Sequence, residues 1–296
     1  MDKLINKFIE YLKYQKNYSE YTCLNYYKDL KEYEEFLNVE NLKYNSMTYE
    51  YSLNYLMFLK NKKNAKATVS RKLSSLRTFY KYLEMENIVK DNPFSLVSSP
   101  KKEKKIPKFI NYKNLEDIFN VPNIETSVGQ RERLILEILY ASGVRVSELV
   151  NIKLKDIDKG NKTILVYGKG SKERIVAFGD YALDIMNLYL KEGRIELLEG
   201  VESEYLIVGK GREKLTTRRV EHIIEEIITK TSLKMNITPH MFRHTFATHL
   251  LDNGCSLLAV KELLGHESLS STEIYTHVSN EHLREVFLKC HPRNKK

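Results

Sequence analysis

The segment that most constrains the fold is DNPFSLVSSPKKEKKIPKF, residues 91–109, which interrupts an otherwise helix-rich chain. Its prolines remove backbone donors and disfavour helix in the residue before each of them, at Pro93, Pro100 and Pro107. Five lysines among residues 101–108 make the same segment strongly basic. The segment therefore predicts an extended basic linker, with domain boundaries of 1–90 for the first domain, 91–108 for the linker and 109–296 for the second domain.

Apolar residues recur at helical spacing on both sides of this linker. Before it, four helices are predicted, over Lys3–Lys13, Glu20–Leu37, Thr48–Leu59 and Ala67–Leu83. Ser19 and either Asn45 or Ser46 are candidate N-caps. After the linker, two short strand-like runs, Thr163–Tyr167 and Glu173–Phe178, flank a Gly-Lys-Gly-Ser-Lys turn and predict a hairpin. The expected fold is mainly α, with a helical first domain and an α+β second domain that carries a small antiparallel sheet.

The charge of the chain points to a polyanionic partner. Its formal net charge is +9 and its pI is near 9.1, and clustered Lys and Arg neutralise phosphates. No acidic residue occurs between Tyr51 and Leu83. In the last predicted helix, Val69, Leu73, Leu76, Tyr80 and Leu83 form a buried stripe. Five side chains on one flank of that stripe are predicted to contact a DNA backbone, although a solvated face is the alternative: Lys66, Ser70, Ser74, Arg77 and Lys81.

The cysteines and the amino terminus narrow the class further. Cys23, Cys255 and Cys290 are odd in number and lack paired spacing, so neither a disulfide framework nor a cysteine metal site is expected. No apolar run approaches the roughly 18 residues of a membrane span, and the first residues lack the apolar block of a signal peptide. A cytoplasmic protein with no membrane partner is expected.

Unusual polar residues occur at three places in the second domain. In YASGVRVSELV, Gly143 is a good helix C-cap, and Arg145 lies at a helix-turn-helix junction, as a surface residue or an anchored cation. The Gly-Lys-Gly-Ser-Lys turn of the predicted hairpin is the second of these places and contains two lysines. In TPHMFRHTFATHLL, Thr238 and Pro239 predict a helix start that places His240 and Arg243 on one face, where a helix amino terminus favours an anion.

A metal site is the competing interpretation of the histidines in this last helix. His240, His244 and His249 recur there, but the glutamate of a zinc motif is absent and Arg243 would place a cation beside the metal. His244 and His249 are therefore predicted to pack or to form hydrogen bonds.

In LLGHESLSSTEIYTHV, Gly265 is predicted to close a short amphipathic helix and to leave His266 just beyond its end. Ser270 and Glu273 resemble a capping box that opens a new helical turn carrying Tyr275. Both His266 and Tyr275 would thus be displayed at helix ends.

The ordered set of these residues resembles the tyrosine recombinase (phage integrase) family, and most closely its bacterial Xer recombinases. The set is Arg145, Lys169, His240, Arg243, His266 and Tyr275. YSEYTCLNYYKDL and VSRKLSSLRTFYKYL are similar to the family's helical core-binding domain, and HPR near the end is similar to the Xer tail. The resemblance implies a four-helix, SAM-like core-binding domain and a C-terminal catalytic domain that clamp DNA between them.

The resemblance also implies a role for each residue. Tyr275 would be the nucleophile that forms a 3′-phosphotyrosyl bond, with Arg145 and Arg243 on the nonbridging oxygens. His240 would accept the phenol proton, His266 would donate to the phosphate, and Glu148 would orient the site.

Lys169 would protonate the departing 5′ oxygen, and Lys172 in the same turn is its rival. A second Gly-Lys-Gly occurs at residues 209–211. It is followed by a predicted helix that begins with Thr217, Arg218 and Arg219, and the two arginines are predicted to contact the DNA backbone. No metal and no cofactor are implied.

The implied partners are a double-stranded DNA recombination site and other recombinase subunits. A tetramer would assemble on DNA through the C-terminal helix that carries Leu283, Val286 and Phe287, as a homo-tetramer or with a paralogous recombinase, and a septal DNA translocase is a further possible partner. Resolution of chromosome or plasmid dimers is the expected role. The alternatives are an integrase of a mobile element and, from a different class, a non-catalytic sequence-specific DNA-binding protein of the same fold.

Overall fold

The computed structural model describes residues 1–100, 109–168, 173–233, 235–265 and 286–294. The chain divides into two compact units, Met1–Lys105 and Ile106–Lys296. The described residues are mainly helical, and the mainly α prediction is confirmed. No helix among them is long and apolar enough to cross a membrane.

The first unit is built from four helices: α1 (Asp2–Glu10), α2 (Glu20–Val39), α3 (Tyr49–Asn61) and α4 (Lys66–Met85). A π-helical turn, Tyr11–Gln15, extends α1. The Ser19 side chain accepts a hydrogen bond from the N–H of Thr22 at 3.3 Å, so the predicted cap of α2 is confirmed. The predicted cap of α3 at Asn45 or Ser46 is wrong, because Thr48 accepts from the N–H of Tyr51, whereas Ser46 bonds back to Lys43.

Tyrosine and phenylalanine side chains fill the core of this unit. The hydroxyl groups of Tyr33 and Tyr80 lie 2.6 Å apart, and Tyr55 meets Tyr33 edge-on with ring centroids at 5.2 Å. Burial raises the pKa of all three phenols. The predicted stripe of α4, including Leu73 and Leu83, is buried in the same core. These three tyrosines are therefore core residues of the first unit.

A buried ion network joins α2 to α4. Asp29 is almost fully buried and accepts hydrogen bonds from Arg71, from Lys72 at 3.3 Å and from Ser75 at 3.1 Å. Lys72 also donates to Glu32 at 2.7 Å. Two of the basic residues in the acid-free segment are thus paired inside the unit, and removing one partner of such a network leaves an uncompensated buried charge.

The start of the predicted linker belongs to the first unit. Phe94 and Val97 are buried in its core, and Asn92 donates to the carbonyl of Arg77 at 3.0 Å. The Arg77 guanidinium donates to the carbonyl oxygens of Phe94, at 3.1 Å, and of Val97. These contacts hold the chain beyond residue 90 on the first unit. Two apolar side chains are buried there, and one arginine donates hydrogen bonds to the backbone carbonyl groups of the turn.

The second unit contains several helices and three strands among its described residues. They are α5 (Tyr112–Phe119), α6 (Ser127–Ser142), α7 (Val146–Leu149), β1 (Ile157–Asp158), β2 (Thr163–Tyr167), β3 (Glu173–Ala177), α8 (Asp180–Lys191), α9 (Gly193–Leu198), α10 (Thr217–Thr229), α11 (Pro239–Asp252) and α12 (Leu257–Leu264). Residues 286–290 are also helical.

The strands form one antiparallel sheet in the order β1-β2-β3. Thr163 pairs with Ala177 and Tyr167 pairs with Glu173, so the predicted hairpin is confirmed. Ile164, Val166 and Val176 turn into the core that also receives the apolar residues of α6. α6 itself is buried along nearly its whole length, so it forms the central helix of the unit.

The last described residues pack on this same unit. Phe287 is buried and stacks on His291 with ring centroids at 4.8 Å. Burial lowers the pKa of His291 to about 3, and a neutral ring protonated at Nε2 donates to the Tyr140 carbonyl at 3.4 Å while Nδ1 accepts from the N–H of Arg293. Arg293 pairs with Glu137 at 2.6 Å.

Arg77→Ala should lower the free energy of unfolding of the first unit by about 2 kcal/mol, because it leaves buried carbonyl groups unsatisfied. Lys81→Ala is the matched control, since Lys81 is an exposed cation one turn further along α4. Hydrogen-exchange mass spectrometry of residues 1–97 in the full chain measures the effect. Equal exchange in the two variants would show that Arg77 does not hold this segment.

Candidate active site

The site begins where α6 ends. Gly143 adopts a left-handed conformation with φ of 60° and closes the helix, as predicted. A Cβ at this position would lie 2.6 Å from Cδ1 of Phe246, so a side chain there meets both backbone strain and a collision. The reversal places Arg145 at the start of the short helix α7. Its side chain is 37% exposed, so it can reach a ligand.

Arg243 occupies the space beneath this turn. It projects from the first turns of α11, which begins at Thr238 and Pro239 as predicted, and only 7% of the residue is exposed. Nη1 donates to the Gly143 carbonyl and Nη2 donates to the Leu264 carbonyl, both at 2.5 Å. One guanidinium therefore joins the carboxyl ends of α6 and α12, where helix dipoles favour a cation.

Glu148 is the acidic centre of the site, with a side chain that is 2% exposed. Oε2 accepts from the backbone N–H of Arg145 and Oε1 accepts from Arg145 Nη1, each at 2.8 Å. Arg174 of β3 approaches from the opposite side and donates Nη1 to Oε1 at 2.7 Å and Nη2 to Oε2 at 2.8 Å. We call Arg145, Arg174, Arg243 and Glu148 the arginine cluster.

The pKa values of this cluster follow from burial and charge. Burial by itself raises the pKa of Glu148, but hydrogen bonds from Arg174 and from the backbone of Arg145 outweigh it, and the pKa falls to about 2. Burial, followed by repulsion from Arg145 and Arg174, lowers the pKa of Arg243 to about 10. Three guanidinium cations and one carboxylate anion give the cluster a net charge of +2. Such a site is suited to a phosphate.

His240 lies on the first turn of α11, three residues before Arg243, and is exposed. Residues at this spacing lie on the same side of a helix. The other predicted catalytic residues lie outside the described residues: Lys169, its rival Lys172, His266 and Tyr275. The described chain reaches the edge of two of these segments, at Gly168 after β2 and at Gly265, whose left-handed backbone closes α12 as predicted.

His249 of α11 packs inside the second unit. His249 is buried, receives or donates a hydrogen bond at 2.8 Å with the Tyr140 hydroxyl, and stacks on Tyr112 with centroids 4.0 Å apart. Burial lowers the pKa of His249. No group of three metal-ligating side chains occurs in the part of the chain that the structure describes. The packing role predicted for His249 is confirmed.

The predicted DNA contacts have different surroundings. Lys66, Ser74 and Lys81 are exposed on α4 and Ser70 is half-buried, whereas Arg77 is tied to the carbonyl groups described above. Arg218 and Arg219 are exposed on the first turn of α10, which the Thr216 hydroxyl caps. Arg219 also pairs with Glu226 at 2.9 Å.

Arg174 is the member of the cluster that sequence reasoning missed. It stands 26 residues after Glu148, and its neighbours in the hairpin, Glu173 and Ile175, are exposed. The sequence carried no clear signal for this role, because the apolar neighbour Ile175 is exposed while strand alternation turns the charged Arg174 toward the opposite face.

Comparison with known families identifies both units. The model of the phage integrase family matches residues 108–282. The model of the phage integrase N-terminal SAM-like domain matches residues 5–87. Together these matches include both units and every residue of the arginine cluster.

Individual relatives cover almost the whole chain. Tyrosine recombinase XerC of Anoxybacillus flavithermus is 46% identical over 292 residues, which are 98% of this chain and 97% of that protein. Tyrosine recombinase XerC of Bacillus subtilis is 44% identical over 292 residues, 98% of this chain and 96% of that protein.

Solved structures share the fold. The crystal structure of XerA recombinase is 27% identical, with a TM-score of 0.50 over 98% of this chain and 99% of that chain. A lambda integrase dimer bound to a core site has a TM-score of 0.69 at 18% identity, over 94% and 99% of the two chains. A lambda integrase tetramer bound to a Holliday junction has a TM-score of 0.67 at 17% identity, over 93% and 80%.

The low pKa of Glu148 predicts a pH-dependent contribution to stability. Because the folded value of about 2 lies below the ordinary value of 4.5, the ionised carboxylate stabilises the fold above pH 4.5, and this contribution is lost as the pH falls toward 2. The free energy of unfolding of wild type relative to Glu148→Gln should be about 2 kcal/mol smaller at pH 3 than at pH 6. Urea titrations at both pH values measure it, and a constant difference would contradict the assignment.

Proposed function

Because the chain belongs to the phage integrase family and is a site-specific tyrosine recombinase of the Xer type, we propose that the arginine cluster binds the scissile phosphate of DNA. The reaction of such an enzyme is the breaking and rejoining of DNA strands. The observation that carries the proposal is the net charge of +2 around a buried Arg243, held between the residues that lead to Arg145 and to His266. An excess of cations around a buried guanidinium is costly unless an anion offsets it.

Attack on a phosphodiester places additional negative charge on the nonbridging oxygens as the pentacoordinate state forms. Arg145 and Arg243 donate to those oxygens, and charge-assisted bonds from a preorganised site stabilise the transition state more than the ground state. Glu148 accepts only one bond from the Arg145 guanidinium, which has five N–H donors. The outward donors of Arg145 are therefore available to the phosphate.

Tyr275 supplies the attacking oxygen. The bond from phosphorus to the tyrosine oxygen forms as the bond to the 5′ oxygen breaks, which gives a 3′-phosphotyrosyl intermediate and a 5′-hydroxyl. A phenol with an ordinary pKa of about 10 is a weak nucleophile at pH 7, so His240 accepts its proton. Lys169, or Lys172 in the same turn, gives a proton to the departing 5′ oxygen, and His266 donates to the phosphate.

Strand exchange then runs the same step in reverse. The 5′-hydroxyl of another strand attacks the phosphotyrosine, a new phosphodiester forms and the phenol is released. One ester replaces another in each step, so the reaction needs no nucleotide hydrolysis, and the arginines provide the charge stabilisation that a metal ion could otherwise supply.

Contacts outside the centre hold the DNA. Lys66, Ser70, Ser74 and Lys81 on α4 are the proposed backbone contacts of the first unit. Arg77 joins that surface chiefly by supporting the segment that follows α4. Arg218 and Arg219, at the capped amino end of α10, are the proposed backbone contacts of the second unit.

The proposed assembly is a tetramer on two double-stranded sites, acting on the chromosome in the cytoplasm. Phe287 of the tail is buried in an apolar cluster of its own chain. In the proposed tetramer the tail would make such contacts with a neighbouring subunit and so couple the active sites. Resolution of chromosome or plasmid dimers is the proposed role, with a paralogous subunit and a septal translocase as candidate partners. The identity to XerC proteins favours this role over that of a mobile-element integrase, and the complete set of catalytic residues favours it over non-catalytic DNA binding.

Tyr275→Phe should abolish covalent attachment to DNA, with at least a 100-fold loss, roughly the cost of removing an essential catalytic group. The substrate is a duplex of the chromosomal site located by footprinting, nicked beside the scissile phosphate so that the intermediate is trapped. Tyr181→Phe, which removes a hydroxyl from an exposed tyrosine of the same unit, should behave as wild type. Absence of an adduct with wild type on its bound site, or equal adduct with Tyr275→Phe, would refute the proposal.

Arg243→Ala and Arg243→Lys should lose cleavage by about 100-fold or more while retaining most of their affinity for the duplex, because this guanidinium acts on charge that develops in the transition state. Gel-shift titration and adduct formation are measured on the same nicked site. Arg243→Lys keeps a buried cation and so guards against unfolding. A parallel fall in binding and cleavage in both variants would make Arg243 a docking residue instead.

A further inference from the structure

We propose that Arg174 is a positioning residue that keeps Glu148 from withdrawing Arg145 from the phosphate. This inference rests on the proposed function of the arginine cluster. It assigns a role to a residue outside the six catalytic positions predicted from the sequence.

Arg174 and Arg145 share one carboxylate. Each oxygen of Glu148 accepts one bond from Arg174 and one from Arg145, at distances of 2.7–2.8 Å. Four bonds match the number of lone-pair sites of a carboxylate. The paired geometry of Arg174 holds the carboxylate plane through two parallel bonds. Arg145 is left with one side-chain bond and one backbone bond to Glu148.

Removal of Arg174 would change how Arg145 is used. Two lone pairs of Glu148 would then lack donors in a place that is 2% exposed, and an unsatisfied buried acceptor is costly. The nearest cation able to satisfy them is Arg145, which is partly exposed and can turn its guanidinium fully onto the carboxylate. A fully paired Arg145 would lie away from the phosphate, so Arg174 acts by occupying the competing sites on Glu148.

The position of Arg174 also couples it to the segment that carries His266. A Cβ at Gly265 would lie 2.8 Å from Cδ and 3.2 Å from Nε of Arg174. The stem of Arg174 therefore lies against the backbone turn that ends α12. One side chain thus contacts the turn before His266 and the carboxylate that orients Arg145.

A purely structural salt bridge accounts poorly for this arrangement. Arg174 adds a third cation beside Arg243 and contributes to lowering its pKa, and its buried Nε finds no acceptor among the described residues. An apolar pair of similar volume would join β3 to α7 at lower cost. The positive charge of Arg174 has a use if it must neutralise the Glu148 carboxylate so that a phosphate can bind beside it.

The test measures single-turnover adduct formation on the nicked duplex, together with duplex affinity and thermal unfolding. Arg174→Gln should slow cleavage by about 100-fold, a loss typical of a misplaced catalytic group, while affinity changes by no more than about threefold. Arg174→Lys keeps the charge and one bond, and it should recover about tenfold of this loss. Arg194→Gln is the matched control, because Arg194 is a buried arginine of the same unit that bonds to the carbonyl groups of Ser203 and Tyr205.

The double variant distinguishes positioning from stability. In Glu148→Gln the competing carboxylate is absent, so adding Arg174→Gln should slow cleavage by less than about threefold, and the double variant should be faster than Arg174→Gln alone. The inference would be overturned if the cleavage rate of the double variant fell by the product of the two single-variant losses. Wild-type cleavage by Arg174→Gln would overturn it as well. Failure of wild type to form an adduct would instead refute the proposed function.

Discussion

The second unit depends on two hydrogen bonds from one buried guanidinium. Arg243 ties the carbonyl of Gly143 to that of Leu264, and these residues end α6 and α12. Each helix is followed within three residues by a predicted catalytic side chain, Arg145 after α6 and His266 after α12. The same interaction therefore fixes the point from which both segments leave their helices. Arg243, which is proposed to bind phosphate, therefore also holds together the helix ends that precede Arg145 and His266.

The three arginines of the arginine cluster differ in exposure and in pairing. Arg243 is buried and bonded to two backbone carbonyl groups, whereas Arg145 is partly exposed and can reach a ligand. Arg174 occupies the remaining acceptor sites of Glu148. Glu148 lowers the repulsion among three cations without cancelling their charge. A buried carboxylate also pairs with two cations in the first unit, where the ion pairs of Asp29 with Arg71 and Lys72 join two helices.

Local sequence signals predicted most of the fold. Gly143 and Gly265 as helix ends, Ser19 as a cap, Pro239 at a helix start and the hairpin over Thr163–Ala177 depend on neighbours a few residues away. The order of Arg145, His240 and Arg243 along the chain predicted a common site. The roles of Arg174 and Arg77 were not predictable because their partners are set by tertiary packing. Phe94 and Val97 lie in a segment whose proline and lysine content predicts an extended linker, although both side chains are buried.

The net charge of +2 on the cluster has a thermodynamic consequence for the enzyme without DNA. A fold that holds Arg243 as a cation against burial and like charges is less stable empty than with an anion in place. Binding of substrate and folding of the second unit are therefore linked, and by reciprocity each strengthens the other. With phosphate bound to the cluster as proposed, the second unit would be most stable on the DNA that the enzyme cuts, and multivalent buffer anions such as sulfate would act as partial substitutes for the substrate.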